Sequence, residues 1–279
     1  MKNSRFTVTP LAGAIGAEIG GVDLSRDTDD AAIAELRAAL LTHGVIFLRD
    51  QELTPASQME FARKFGTPAI YPFVQGLEDF PEITPIIKQE DETVNFGGLW
   101  HTDTAYLERP PLGTILYALE VPAAGGDTEW ASLYAAYDAL SDGMKQMLEP
   151  LRAVNRSEKG RVAQTRASAI ASSPTDLSNT ELVAEHPVVR THPETGRKAL
   201  YVNLAHTSHF VGMTEAESKP ILDYLFELEI RPEFTCRFHW RSGSIAIWDN
   251  RCTLHNPIND YQGSKRVMHR VTLEGDVPA

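Results

Sequence analysis

Cysteine is nearly absent from this chain: two thiols, Cys236 and Cys252, among 279 residues. Two thiols cannot build a disulfide framework, and no CxxC pair marks a structural zinc site. No run approaches the ~18–20 apolar residues needed to cross a bilayer. The opening residues, MKNSRFTVTP, carry no apolar stretch of the signal-peptide type. Positive charge is also scarce: 26 Lys and Arg stand against 38 Asp and Glu, a formal net charge of −12. Such a surface repels phosphate backbones and anionic membranes, so the expected partner is a small molecule, not nucleic acid or lipid. Internal repeats, low-complexity tracts and Pro/Ser-rich linkers are missing as well. The expectation is one cytoplasmic domain over residues 1–279.

What is present is an ordinary globular composition, 42% hydrophobic and 23% charged. Ile33, Leu36 and Leu40 share one face of a helix expected from Asp30 to His43, with Gly44 placed to end it. VIFLRD (45–50) reads as a strand. Thr54 is set to cap a second helix with Pro55 at its first position and Gly66 at its close. From residue 83 strand signals dominate: ITPIIK, the segment around Trp100 to Asp103, GTILYALEV and DTEWA. A helical interlude is expected over Leu133–Leu148. HPVVRTHPETGRKALYVN reads as a hairpin. Thr214 and Glu217 form a capping box for a helix carrying Ile221, Leu225 and Leu228. FTCRFHW, SIAIWD and RVMHRVTL are strands again. The weakly periodic stretch 158–181 reads as a loop or lid. Many strands with a few peripheral helices indicate a mainly β sandwich or jelly roll, because strands and helices do not alternate as a doubly wound sheet requires.

LWHTDTAY carries the chemistry. On a strand, His101 and Asp103 would point the same way and offer a metal two ligands. An HxD pair alone is weak evidence of a metal site, and the plainer reading is a hydrogen-bonded pair in a loop. A third ligand must come from elsewhere, and the best distal candidate is His255, after the apolar strand SIAIWD. Two histidines and one carboxylate on one side of a metal suit non-haem iron(II), leaving sites open for substrate and oxygen. His43, His186, His192 and His239 read as structural. Arg266 lies eleven residues past His255, and on a strand it shares a face with Met268 and Arg270. Facing inward, two arginines would need anions to meet them; on an edge strand they would sit in water beside surface carboxylates.

The order HxD, distal His, then two arginines resembles the taurine/2,4-dichlorophenoxyacetate dioxygenase family of Fe(II)/2-oxoglutarate-dependent oxygenases. WHTDTAY, GGDTEWAS, IAIWDNRCTLH and RVMHRVTLEGDVP carry the resemblance, which spans nearly the whole chain. It implies iron ligands at His101, Asp103 and His255. It implies 2-oxoglutarate anchors at Thr128 and Arg266, with Arg270 near the cosubstrate or the substrate's anionic head. It further implies dioxygen as cosubstrate, a distorted double-stranded β-helix (jelly roll) with outer helices, and a homodimer or homotetramer. Candidate substrate contacts are Tyr71, Asn95, Phe96, Thr104, His206 and Arg270, with Phe73 as pocket wall or ordinary core.

The family's taurine-cleaving members differ at several of these positions. Tyr71 stands for a histidine, Val74 for a tyrosine, Gly97 for an asparagine and His206 for a phenylalanine. These changes point to a more apolar pocket and a larger organic anion: a sulfonate, sulfate ester or aryloxyalkanoate, hydroxylated with possible C–S or C–O cleavage. Other readings are a biosynthetic hydroxylase or desaturase with the same cofactors, or a non-catalytic metal-binding module. Halogenation is disfavoured by the presence of Asp103, and a zinc hydrolase by the lack of a general-base Glu near the HxD pair.

Overall fold

Alternation of apolar side chains along two central strands decides the layering. The structure is a computed structural model and describes residues 5–71, 73–157 and 181–279. Strand β3 (Val45–Leu48) is buried at every position, and so is its antiparallel neighbour β14 (Ile245–Asp249). A strand buried on both faces must be covered on both. One parity of side chains, including Ile46, Leu48, Ile245 and Ile247, joins a core with helices α1 (Asp30–His43) and α2 (Pro55–Phe65). The other parity, Val45, Phe47, Ala246 and Trp248, joins a second core with Trp130, Phe238 and Trp240. Helices, a large sheet and a small sheet therefore stack in that order.

The large sheet has eight strands. Its path is β1 (Thr7–Pro10), β2 (Ala17–Gly20), β3, β14, β6 (Gly113–Glu120), β16 (Arg266–Leu273) and β4 (Pro68–Ala69), with β5 (Ile83–Lys88) also pairing with β16. Only β2 and β3 run parallel among these pairs. The small sheet is β13 (Thr235–Phe238), β7 (Thr128–Ser132) and β15 (Thr253–Pro257). A further sheet holds β12 (Thr207–Phe210), β8 (Arg152–Arg156) and β9 (Val183–Pro187), followed by the hairpin of β10 (Val189–Thr191) and β11 (Lys198–Leu200). Helix α5 (Glu215–Glu229) packs Leu222, Leu225 and Leu228 into the same cluster as Ala153, Val189, Leu200 and Phe210. Among the described residues, no helix is long and apolar enough to cross a membrane.

The expected helix boundaries hold where capping chemistry sets them. Thr54 accepts from Ser57 N, with Pro55 opening α2. Thr214 and Glu217 form the reciprocal capping box of α5. Gly44 ends α1 at φ 72, a left-handed conformation that favours glycine. Two extents differ. The strand expected over 45–50 stops at Leu48, because Asp50 turns the chain at φ 55. The helical interlude expected over 133–148 divides into α3 (Leu133–Asp138) and α4 (Asp142–Leu148), because the Ser141 hydroxyl accepts from Met144 N and starts a new helix there. Of the lid expected over 158–181, residues 158–180 lie outside the described residues.

Candidate active site

His255 lies at the middle of β15, opposite Trp130 of β7. His101 joins it by an isolated β-bridge, with His101 N to His255 O at 3.0 Å and His255 N to His101 O at 2.9 Å. The strand expected over 100–103 goes no further than this bridge. Thr102 Oγ1 donates to Thr253 O at 2.9 Å, taking the acceptor a continued ladder would have used. Asp103 then enters a turn, and Thr104 adopts φ 44, a conformation rare for a β-branched residue. His101 and Asp103 converge because the chain turns, not because strand side chains alternate.

The convergence is close. Asp103 Oδ1 lies 3.8 Å from His101 Nε2 and 4.0 Å from His255 Nε2. The imidazole centroids are 4.1 Å apart, and all three residues are buried. His101 Nδ1 faces Leu99 O at 2.6 Å, which assigns the proton to Nδ1 and leaves the Nε2 lone pair facing the cluster. Asp103 Oδ2 accepts from Thr114 Oγ1 at 2.7 Å, with Asn250 Nδ2 at 3.5 Å. Oδ1 is thereby turned toward the imidazoles. Gly97 (φ 74) leaves the space beside them open: a Cβ there would fall 3.1 Å from His101 Cε1 and 3.3 Å from Nε2.

Electrostatics keep His255 and Asp103 in ligand form. Burial, then the neighbouring His101, pushes the His255 imidazole down to about 3, so it is neutral at pH 7. Burial alone would raise the Asp103 carboxyl. The facing His255, Arg270 and His101 and the Thr114 hydrogen bond overcome burial and hold it well below the usual carboxylate range. Two imidazole nitrogens and one carboxylate therefore converge on one point, a donor set that fits a divalent first-row metal with open coordination positions. His192, Asp249 and Cys252 also cluster. There, however, the Asp249 carboxylate is filled by Arg251 at 2.8 and 2.7 Å and by His192 at 3.0 Å, an ion-pair network instead of a donor set.

Strand β16 aims Arg266, Met268 and Arg270 inward, all three buried. Nε and Nη2 of both arginines have no hydrogen-bond partner. Leaving buried guanidinium donors unpaired is costly, so anionic ligands belong here. Burial lowers the Arg266 pKa, which again calls for a compensating negative charge. Thr128 Oγ1 accepts from Trp240 Nε1 at 3.0 Å, so its own proton is available to a carboxylate. Arg266 Cζ lies 5.6 Å from the centroid of that same Trp240. Arg270 Nη1 is 3.8 Å from Asp103 Oδ1, and its guanidinium lies over Tyr71 at 4.1 Å and Phe96 at 5.6 Å.

The remaining sequence candidates fall in different places. Tyr71 and Phe96 border Arg270. Phe73 packs edge-on against Tyr71 and Tyr106, with Val74 against the same cluster, and so belongs to the core. Asn95 is committed away from Arg270: its Oδ1 accepts from Tyr261 Oη at 2.7 Å and its Nδ2 faces Pro257 O at 3.4 Å. His206 stands edge-on to Tyr106 at 4.9 Å and 6.2 Å from the His101 ring. Thr104 Oγ1 is buried without a partner. Sequence reasoning missed Thr114 and Asn250, which orient Asp103. Thr114 reads only as the start of an apolar strand, and Asn250 as part of a turn after SIAIWD. Only tertiary pairing brings them to the carboxylate.

Residues 7–272 match the family described as "Taurine catabolism dioxygenase TauD, TfdA family". An "Alkylsulfatase" of Acinetobacter baylyi is 37% identical over 272 residues, covering 96% of this chain and 84% of that one. An "Alpha-ketoglutarate-dependent sulfate ester dioxygenase" of Pseudomonas putida is 37% identical over 279 residues, covering 97% and 90%. The crystal structure of a taurine dioxygenase from Burkholderia xenovorans superimposes with a TM-score of 0.84 at 38% identity, covering 99% of this chain and 91% of that one.

Proposed function

The chain belongs to the TauD/TfdA family of dioxygenases, and from that premise we propose that it hydroxylates a small organic anion, with sulfate esters the first candidates and sulfonates and aryloxyalkanoates next. Its cofactor is iron(II) and its cosubstrates are 2-oxoglutarate and dioxygen. We read the two facing sheets as a distorted double-stranded β-helix, a reading supported by the likeness to the taurine dioxygenase structure.

The observation that carries the substrate class is Arg270: a buried guanidinium beside Asp103, stacked on Tyr71, with Nε and Nη2 unpaired. It would hold the anionic head bidentately, as a guanidinium fork suits sulfate, sulfonate or carboxylate. Stacking on Tyr71 fixes the guanidinium plane and walls that side with an apolar ring.

His101, Asp103 and His255 would hold the iron. Iron with 2-oxoglutarate supplies the oxidising power that splits dioxygen, giving succinate, carbon dioxide and one oxygen atom for the substrate. The protein's residues do the rest. Thr114 and Asn250 keep Asp103 Oδ2 occupied, so that Oδ1 faces the metal position. Arg266 and the Thr128 hydroxyl would grip the far carboxylate of 2-oxoglutarate. Arg270 would orient the substrate so that the carbon next to its head group is presented, a positional effect of the kind that supplies much of catalysis. The Tyr71 and Phe96 rings exclude water. Hydroxylation beside an ester oxygen gives a hemiacetal-type product, whose collapse breaks the C–O bond to release an aldehyde and sulfate.

The test is iron-dependent succinate release and oxygen uptake across alkyl sulfates, sulfonates, aryloxyalkanoates and amino or hydroxy acids. The expected result is stimulation by an organic anion that falls sharply in Arg270→Ala. Full turnover by His101→Ala would overturn the metal assignment. Silence toward every anion of the panel would overturn the substrate class and favour a biosynthetic substrate with the same cofactors.

A further inference from the structure

One buried lysine beside Arg266 has no role in the site described so far. Lys88, the last residue of β5, is 5% exposed, and its Nζ has no hydrogen-bond partner. Its register partner on β16 is Arg266. Residues directly opposite in an antiparallel pair project from the same face with Cβ atoms about 5 Å apart, and like charges placed so are destabilising. Burial removes the water that would screen them. Two cations held in this way call for an anion between or beyond them.

The surroundings show where that anion would sit. Lys88 Nζ lies 4.3 Å from the centroid of Tyr261, whose hydroxyl is tied to Asn95 Oδ1. Tyr261 in turn packs on Gly126, where an added Cβ would fall 3.2 Å from its ring. Gly126 lies two residues before Thr128. Lys88, Tyr261, Gly126, Thr128, Trp240 and Arg266 thus lie together at the start of β16. Arg270, beside Asp103, lies four residues further along β16 on the same face. Tyr261 supplies a ring face to the lysine and no acceptor, so the ammonium keeps its hydrogen-bonding capacity for a ligand.

We propose that Lys88 and Arg266 together form a two-cation cradle for the far carboxylate of 2-oxoglutarate, with Lys88 a binding residue for the cosubstrate instead of a filler of the sheet. This rests on the 2-oxoglutarate dependence stated above. Arg266 and Thr128 present planar and hydroxyl donors to one carboxylate oxygen pair, and Lys88 adds a point charge from the neighbouring strand. The pocket then selects for a second carboxylate and against 2-oxo acids that end in a methyl group, since these would leave two buried cations uncompensated.

The test is calorimetric binding to the Mn(II)-loaded protein, without turnover, using 2-oxoglutarate and 2-oxopentanoate. The latter has the same chain with a methyl group in place of the far carboxylate. Wild type is expected to prefer 2-oxoglutarate strongly. Lys88→Met is expected to weaken 2-oxoglutarate about ten- to a hundredfold, the range for a hydrogen bond to a charged group, while leaving 2-oxopentanoate unchanged or tighter. Lys88→Arg should restore most of the preference. Equal weakening of both ligands, or of neither, would overturn the inference, and a lowered melting temperature alongside either result would mark Lys88 as structural. Absence of 2-oxoglutarate binding by wild type itself would overturn the cosubstrate reading, and the cradle with it; that outcome is distinct from a wild type that binds and a Lys88→Met that binds equally well.

Discussion

Gly97 shows how a residue without a side chain shapes the metal position. A Cβ there would press on His101 Cε1 and Nε2 at 3.1 and 3.3 Å, and at φ 74 any L side chain is also strained. Gly97→Ala is expected to keep the fold and lower metal affinity at least tenfold, read by metal titration followed in fluorescence or calorimetry. An unchanged affinity would show that the ring shifts freely. Thr114 tests the orientation of Asp103. Thr114→Val removes the 2.7 Å hydrogen bond to Oδ2 while keeping shape, and outer partners of this kind are worth about 10–100-fold in metal affinity. The expected loss lies in that range and should exceed the loss in Thr102→Val, which bonds only backbone. Little of this was legible in the amino-acid order. WHTD and the distal histidine announce ligands, whereas the contacts of Gly97 and Thr114 with them arise from chain segments that meet only after folding.

At the scale of elements, Phe47 on β3 joins the two sheets. It stacks on Phe238 at 4.1 Å and meets Trp130 edge-on at 5.1 Å. Removing a fully buried aromatic costs about 3–5 kcal/mol, so Phe47→Ala should lower unfolding free energy by that amount in a denaturant titration. A loss under about 1 kcal/mol would mean the sheets do not depend on this contact. Helix starts were the most legible elements, because capping is local: Thr54 with Pro55 and Thr214 with Glu217 act within one turn. Strand ends were less so. The segment at 100–103 has strand composition, yet a side-chain hydroxyl and a left-handed Thr104 end its pairing after one bridge. The short strands β1, β2, β8 and β12 escaped notice because TVTP, AEIG, RAVNR and TSHF hold no apolar run like the VIFL of β3.

At the scale of the whole molecule, buried histidines set the response to pH. His186 is pushed down to about 4, chiefly by burial. Its unfolded value is about 6.5, so the native state binds this proton more weakly than the unfolded chain does. The associated stability is complete above about pH 6.5 and is lost as pH falls from there toward 4, about 3 kcal/mol in all. His255 of the metal-free protein adds loss in the same direction. The depressed Asp103 and Asp249 carboxyls add theirs only below about pH 4, where unfolded carboxylates take up protons. Urea midpoints at pH 7.5, 6.0 and 5.0 should fall progressively, and His186→Gln should flatten the decline. A midpoint constant over that range would contradict it. By itself the sequence determined what short-range chemistry encodes: the helix caps, the long alternating strands, the HxD pair and the shared strand face of Arg266 and Arg270. Only the tertiary structure decided which groups meet. The partners of Asp103, the commitment of Asn95 to Tyr261, the stacking of Arg270 on Tyr71 and the pairing of Lys88 with Arg266 join residues far apart in the chain, and no local periodicity records such contacts.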